Sequence, residues 1–309
     1  MPFSASFLRL GLCILSATVL FGCGGPAGPR TGKPQIVCTT GQVADMVQAI
    51  AGDQVEVKTL IGPGVDPHSY RASSPDAAAL RSADAVFYSG LHLEGRLSEQ
   101  LEKLAVGKPT LGLGDAIADA APDRIRRVSG AADPHIWFDA EVWSLSIPAV
   151  VEKLSALKPD FKAAFEQAGA KYRDQLLAAH ADCKNSIGEL PETARLLVTA
   201  HDAFEYYGAA YGLEVRGLQG ISTVDETSLE EVNRLVELLV DRKVKAVFVE
   251  SSVPKERLRQ VIDGCAARGH SVVVGGELYS DAMGEPGTPA GTYVGMLRYN
   301  TQTIVAALK

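Results

Sequence analysis

At 309 residues, 46% apolar and 22% charged, the chain is longer than one ordinary core requires and too apolar for disorder, so two folded domains are expected. A net charge of −7, with no run of Lys or Arg interleaved with aromatics, excludes a phosphate-binding face and with it nucleic acid as a partner.

The first element is a targeting segment. Arg9 precedes an apolar stretch, Leu10 to Gly22, too short to span a bilayer comfortably and suited to a secretory signal. It ends in Leu20-Phe21-Gly22-Cys23, which resembles a lipobox, although Phe21 is bulky for its place. Residues 1–22 are therefore expected to be a lipoprotein signal peptide, with Cys23 as the lipidation site; an ordinary cleaved signal with an incidental cysteine is the alternative. Residues 23–33, rich in Gly and Pro, suit an unstructured tether, and several acyl chains on one cysteine give stable membrane anchoring. Cys38, Cys183 and Cys265 remain, an odd number without CxxC spacing, and are expected as buried apolar residues.

From residue 34 short β-branched runs alternate with helical patterns, the signature of α/β layers with parallel strands. Gln35–Thr39, Val55–Leu60, Ala85–Tyr88 and Thr110–Leu113 are the strand candidates of a first lobe, residues 34–160. Phe161, Phe165, Ala168, Tyr172, Leu176, Ala179, Cys183 and Ile187 then form one stripe at helical spacing, with Asp160 as N-cap and Gly188 as stop. The linking helix, residues 161–188, would extend about 42 Å, enough to run past both lobes and resist hinge bending. A second lobe, residues 189–309, repeats the scheme with strands Arg195–Ala200, Leu213–Arg216, Ala246–Val249 and Ser271–Val274. Its helices carry ordinary start and stop signals: a Ser228/Glu231 capping box, Pro254 at a first helical position and Gly269 after Cys265. The expected fold is α/β, two lobes each with a mostly parallel sheet flanked by helices, joined by one long rigid helix.

Three of the six histidines stand where chemistry would be placed. Asp66-Pro67-His68 and Asp133-Pro134-His135 hold each imidazole on a proline-stiffened turn, and His201 directly follows a buried strand. Ligands of open α/β sheets bind outside the carboxyl ends of strands, which also selects Asp281 in the loop Glu277–Gly284. Two donors come from each lobe, so a site between the lobes is expected. Three imidazoles and a carboxylate suit Zn²⁺ and also accept Mn²⁺. Against this, any one such His could simply hydrogen-bond a carbonyl or cap a helix. His92, His180 and His270 receive that structural reading. Glu250, ending a strand near the cleft, is a candidate to take the second N–H of a metal-bound imidazole.

Beyond these residues the chain resembles the metal-binding receptor lipoproteins (solute-binding proteins) of zinc and manganese ABC importers. The matching segments are Asp66-Pro67-His68-Ser69-Tyr70, Gly90-Leu91-His92-Leu93-Glu94, Asp133-Pro134-His135-Ile136-Trp137, His201-Asp202-Ala203-Phe204, Phe248-Val249-Glu250-Ser251-Ser252 and Leu278 through Gly284. The resemblance implies His68, His135, His201 and Asp281 as ligands, and an extracytoplasmic monomer, periplasmic or lipid-anchored, that hands its metal to a membrane permease. Zinc-uptake members often carry a His-rich loop where Asp115–Asp133 has no histidine, and manganese-selective members commonly have Glu where His201 stands. The match is with the branch associated with zinc or manganese, sometimes iron.

Two other functions compete with that of a receptor. A secreted zinc hydrolase could use the same cluster with Asp281 or Asp202 as general base, but no HExxH helix, Ser-centred elbow or catalytic Cys pattern is present, and four protein ligands leave no place for an activated water. Cell adhesion, an adhesin role sometimes attributed to the family, has no residue arguing for it. Acid is expected to release the metal as the imidazoles protonate near their reference pKa of about 6.5.

Overall fold

The computed structural model describes Met1, residues 32–224 and residues 227–309. The expected signal peptide, the Cys23 lipidation site and nearly all of the tether lie outside the described residues. Lys33–Lys309 forms one compact unit.

In the first lobe β1 (Gln35–Cys38), β2 (Glu56–Thr59), β3 (Ala85–Tyr88) and β4 (Thr110–Gly112) form a parallel sheet of order β2-β1-β3-β4. Helices α1 (Gly41–Ala51), α2 (Ser74–Ser82), α3 (Ser98–Ala105) and α4 (Leu113–Ala120) connect and flank its strands. A small hairpin, β5 (Arg127–Val128) with β6 (Ala131–Ala132), follows, then α5 (Ala140–Trp143) and α6 (Ile147–Leu157). The second lobe repeats the design: β7 (Leu196–His201), β8 (Glu214–Gln219), β9 (Ala246–Glu250) and β10 (Val273–Leu278) pair in parallel in the order β10-β9-β7-β8. Their flanking helices are α8 (Glu205–Tyr211), α9 (Leu229–Asp241), α10 (Arg259–Ala267) and α11 (Tyr293–Leu308).

Between the sheets runs α7, Lys162–Gly188, whose 27 residues span about 40 Å. Two details differ from expectation. Asp160 lies in a short 3-10 turn, Pro159–Phe161, and Phe161 precedes the helix without a side-chain cap. The buried stripe passes through Gly169 rather than Ala168, because α6 crosses there: a Cβ on Gly169 would lie 2.9 Å from Val151 Cγ2. The glycine that lowers helix propensity by about 1 kcal/mol thus lets two helices approach closely.

The last strand also departs from its expected span. It starts at Val273, not Ser271, and runs through Gly275 and Gly276 to Leu278 with a register irregularity. Glycines normally interrupt a strand, but here α11 lies against them: a Cβ on Gly275 would stand 2.8 Å from Ala307 Cβ, and one on Gly276 would overlap Thr303. The strand therefore delivers its chain to the cleft four residues later than the apolar run implies.

Side-chain alternation along the strands divides the interior. Val37 and Val86 face outward to Leu60, Leu80 and Leu97. Leu196, Val198, Ala200, Val247 and Val249 meet α9 and α10 through Leu235, Leu239, Val261 and Cys265. The opposite faces of both sheets belong to one core: Ile36, Cys38 and Phe87 from the first lobe, Leu197 and Phe248 from the second, and Leu176, Cys183 and Ile187 of α7 are joined through Trp137, Phe138, Phe204 and Tyr293. All three described cysteines are free and buried, as expected. Among the described residues no helix is long and apolar enough to cross a membrane.

Candidate metal centre

Both sheets point the carboxyl ends of their strands at the same cleft, and each reverses its strand order there, at β1/β3 and at β7/β9. His201 is the last residue of β7, Asp281 follows β10 by three residues, and His68 lies on the turn after β2. His135 immediately precedes a 3-10 turn, Ile136–Phe138.

The four side chains converge. One donor atom from each of His68, His135, His201 and Asp281 lies within 4.8 Å of all the others. Asp281 Oδ1 is 3.4 Å from both His135 Nε2 and His201 Nε2, and the Nε2 atoms of His68 and His135 are 3.3 Å apart. Exposure is 6% for His68, 0% for His135 and His201, and 1% for Asp281. His201 Nε2 and Asp281 Oδ1 have no hydrogen-bond partner, an unfavourable arrangement for buried polar atoms unless a cation takes their lone pairs. Three imidazole nitrogens and one carboxylate oxygen fit a divalent transition metal in number and chemistry.

The far side of two rings is backed by acid. Glu250, 1% exposed, accepts the His201 backbone N–H through Oε1 at 2.8 Å and places Oε2 2.5 Å from His201 Nδ1. Asp133 Oδ1 meets both the backbone N–H (3.0 Å) and the ring Nδ1 (2.8 Å) of His135. Each carboxylate fixes the tautomer that leaves Nε2 aimed inward. Glu250 was legible as the end of a β-run; Asp133 was missed, though its place two residues before His135 is a usable signal. Asp66 occupies the equivalent position before His68 but takes the backbone N–H (2.9 Å) and the Ser69 hydroxyl. Ser252 was also missed: its hydroxyl donates to Asp281 Oδ2 at 3.3 Å and is paired with Ser280 Oγ at 2.8 Å.

Charge in the cluster follows these contacts. Burial opposes a proton on His135, but the carboxylates of Asp133 and Asp281 prevail and lift its pKa to about 9. His201 is lifted well above the ordinary histidine value against the same desolvation, by Glu250 and Asp281. His68 goes the other way: burial lowers it to about 4, with Asp281 opposing. Desolvation would raise Asp281, yet the surrounding imidazoles, His201 first, hold it well below the usual carboxylate range.

The remaining histidines lie elsewhere. His92 is exposed with φ 64°, and His270 Nε2 bonds Val244 O at 2.6 Å. His180 is half-buried against Tyr211, with Nδ1 3.4 Å from Asp139 Oδ1. Together with Glu141 these form a second group of potential donors, but Arg124 stands 3.2 Å from Glu141 and 3.8 Å from Asp139 and already balances their charge.

Comparison with known proteins gives a consistent picture. Residues 36–307 match the family described as ZnuA, zinc-uptake complex component A, periplasmic. The manganese-binding lipoprotein MntA of Bacillus subtilis (strain 168) is 43% identical over 310 residues, covering 98% of this chain and 100% of that protein. The zinc-binding protein TroA of Treponema pallidum (strain Nichols) is 42% identical over 304 residues, covering 97% and 98%. The solved structure of the periplasmic zinc-binding protein TroA from Treponema pallidum superposes with a TM-score of 0.86 at 44% identity, over 90% of this chain and 99% of that one.

Proposed function

The chain belongs to the zinc-uptake component A family of periplasmic metal-binding proteins, and from that premise we infer that His68, His135, His201 and Asp281 hold the metal it carries. It is an extracytoplasmic receptor of an ABC importer that captures zinc or manganese, with a membrane permease as its partner, and it is not an enzyme. The observation that carries the ligand assignment is the convergence of four buried donors, two of them without any hydrogen-bond partner, on one point between the lobes. Because one chain supplies all four, a monomer suffices. The secreted hydrolase has no support: the donor set leaves no open coordination position, and the family consists of carriers.

Lipidation at Cys23 ties the receptor to its membrane in this reading, in keeping with the lipoprotein relatives. Residues 34–160, 161–188 and 189–309 act as first lobe, strut and second lobe. By intrinsic affinity the three-imidazole site prefers Zn²⁺ to Mn²⁺, and the supply of each ion decides which is carried. Elemental analysis of the full chain purified without chelator tests the function: about one equivalent of zinc or manganese is expected, and a protein that neither contains nor takes up either ion would refute it.

Proton release gives an independent check. The neighbouring acids raise His135 to about 9 and His201 well above the ordinary histidine value, and a metal must displace the protons so held. A raised pKa means that lowering the pH strengthens the competing proton, so affinity should climb as pH rises from 6 toward about 9, instead of levelling off near the ordinary histidine value of about 6.5. Calorimetry at pH 7 in buffers of different ionisation enthalpy should show one or more protons released per zinc; no release would contradict the assignment. Glu250→Ala should lower zinc affinity by roughly 10- to 100-fold by freeing the His201 ring, and wild-type affinity in that variant would remove Glu250 from the site.

A further inference from the structure

The geometry points to Thr223 as a positioning residue that holds His68 in the site from the opposite lobe. His135 and His201 are each backed by a carboxylate at Nδ1, but the acid nearest His68 in sequence, Asp66, grips its backbone: Oδ1 accepts the His68 N–H at 2.9 Å and Oδ2 accepts the Ser69 hydroxyl at 2.8 Å. His68 is thus placed by its turn, and the turn is placed by Asp66. Asp66 Oδ2 accepts one further hydrogen bond, at 2.6 Å, from Thr223 Oγ1 in the second lobe.

Thr223 is 5% exposed, and its carbonyl accepts from Arg257 Nη2 at 3.4 Å, which roots it in the 3-10 turn Lys255–Leu258. The bond crosses the cleft at its mouth. A pocket of about 660 Å³ there is lined by His68 and Pro134 on one side and by Ile221, Ser222 and Val224 on the other. Of the four donors, His68 is the one that borders this pocket. An ion leaving toward solvent passes His68, and the Thr223–Asp66 bond resists the outward movement of its turn. Thr223 acts on the metal only through Asp66 and His68, so this rests on His68 being a ligand.

The test is zinc release from the full chain in detergent, followed after mixing with excess chelator, for wild type, Thr223→Val and Thr223→Ser. Valine keeps the shape and removes the hydroxyl; serine restores it. A hydrogen bond to a carboxylate is strong enough that its loss should raise the release rate about tenfold or more, with serine returning it to within about twofold of wild type. The melting temperatures of the three metal-free proteins should agree within about 2 °C, which separates positioning from general stability. Release from Thr223→Val at the wild-type rate, or equally fast release from valine and serine variants, would overturn the role of Thr223 while leaving the metal site intact. A wild-type chain that takes up no zinc would overturn both.

Discussion

Asp281→Ala should weaken zinc binding by about a hundredfold to a few thousandfold, the largest loss expected from any single change at the cleft. Asp281 is the one anionic donor among four and is 1% exposed, so a dication held by the three imidazoles alone would lose its countercharge in a desolvated setting. Removing one partner of a buried charge pair costs about 3–5 kcal/mol, which converts to that range of affinity. The same change removes the carboxylate that helps hold protons on His135 and His201. Proton release on binding should therefore shrink along with the affinity. Chelator-competition titration measures the first effect and calorimetry the second. An unchanged dissociation constant would take Asp281 off the ligand list and leave a three-histidine site.

Trp137→Ala should lower the stability of the metal-free chain by about 3–5 kcal/mol, the loss typical of a large aromatic deleted from a core. The indole is fully buried in the core shared by both lobes, in an edge contact with the His135 ring. Its Nε1 donates to Ser280 O in the second lobe at 3.2 Å, and its carbonyl accepts the Tyr293 hydroxyl at 2.6 Å. Ser280 directly precedes Asp281, so the residue that joins the lobes also aligns donors from each. Trp137→Phe, which fills much of the volume but leaves Ser280 O unpartnered, should cost less, about 1–3 kcal/mol. Urea denaturation followed by circular dichroism reads both values. A loss below about 1 kcal/mol for the alanine variant would mean that the two lobes do not depend on this joint.

Much of this was legible in the chain because the governing physics is local. Alternating apolar runs marked eight strands, although Gly275 and Gly276 hid the end of the last one, since nothing local reveals that α11 packs over them. The helical stripe marked α7 but chose Ala168 over Gly169, because propensity disfavours glycine and only the approach of α6 explains it. Candidate donors could be found because strand ends and Asp-Pro-His turns are written in consecutive residues.

The carboxylate partners divide along the same line. Asp133 serves a histidine two positions away and was readable though missed; Glu250 was legible as a strand end, but its partner His201 lies 49 residues away, and Thr223 reaches Asp66 from 157. Charge was less accessible still. The imidazoles were expected to titrate near the ordinary histidine value, whereas His68 is driven down and His135 up, because burial and neighbouring acids act on each ring separately.

By itself, then, the sequence determined the α/β class, the long helix, the acidic charge balance and the four residues worth bringing together, since propensity, periodicity and turn stiffness are properties of neighbours along the chain. Tertiary structure alone decided that the two lobes share one core, that His201 Nε2 and Asp281 Oδ1 face each other without a hydrogen-bond partner, and that a threonine in one lobe bonds the aspartate of a histidine turn in the other. Desolvation, close packing and hydrogen bonds across a cleft depend on distances between segments far apart in the chain.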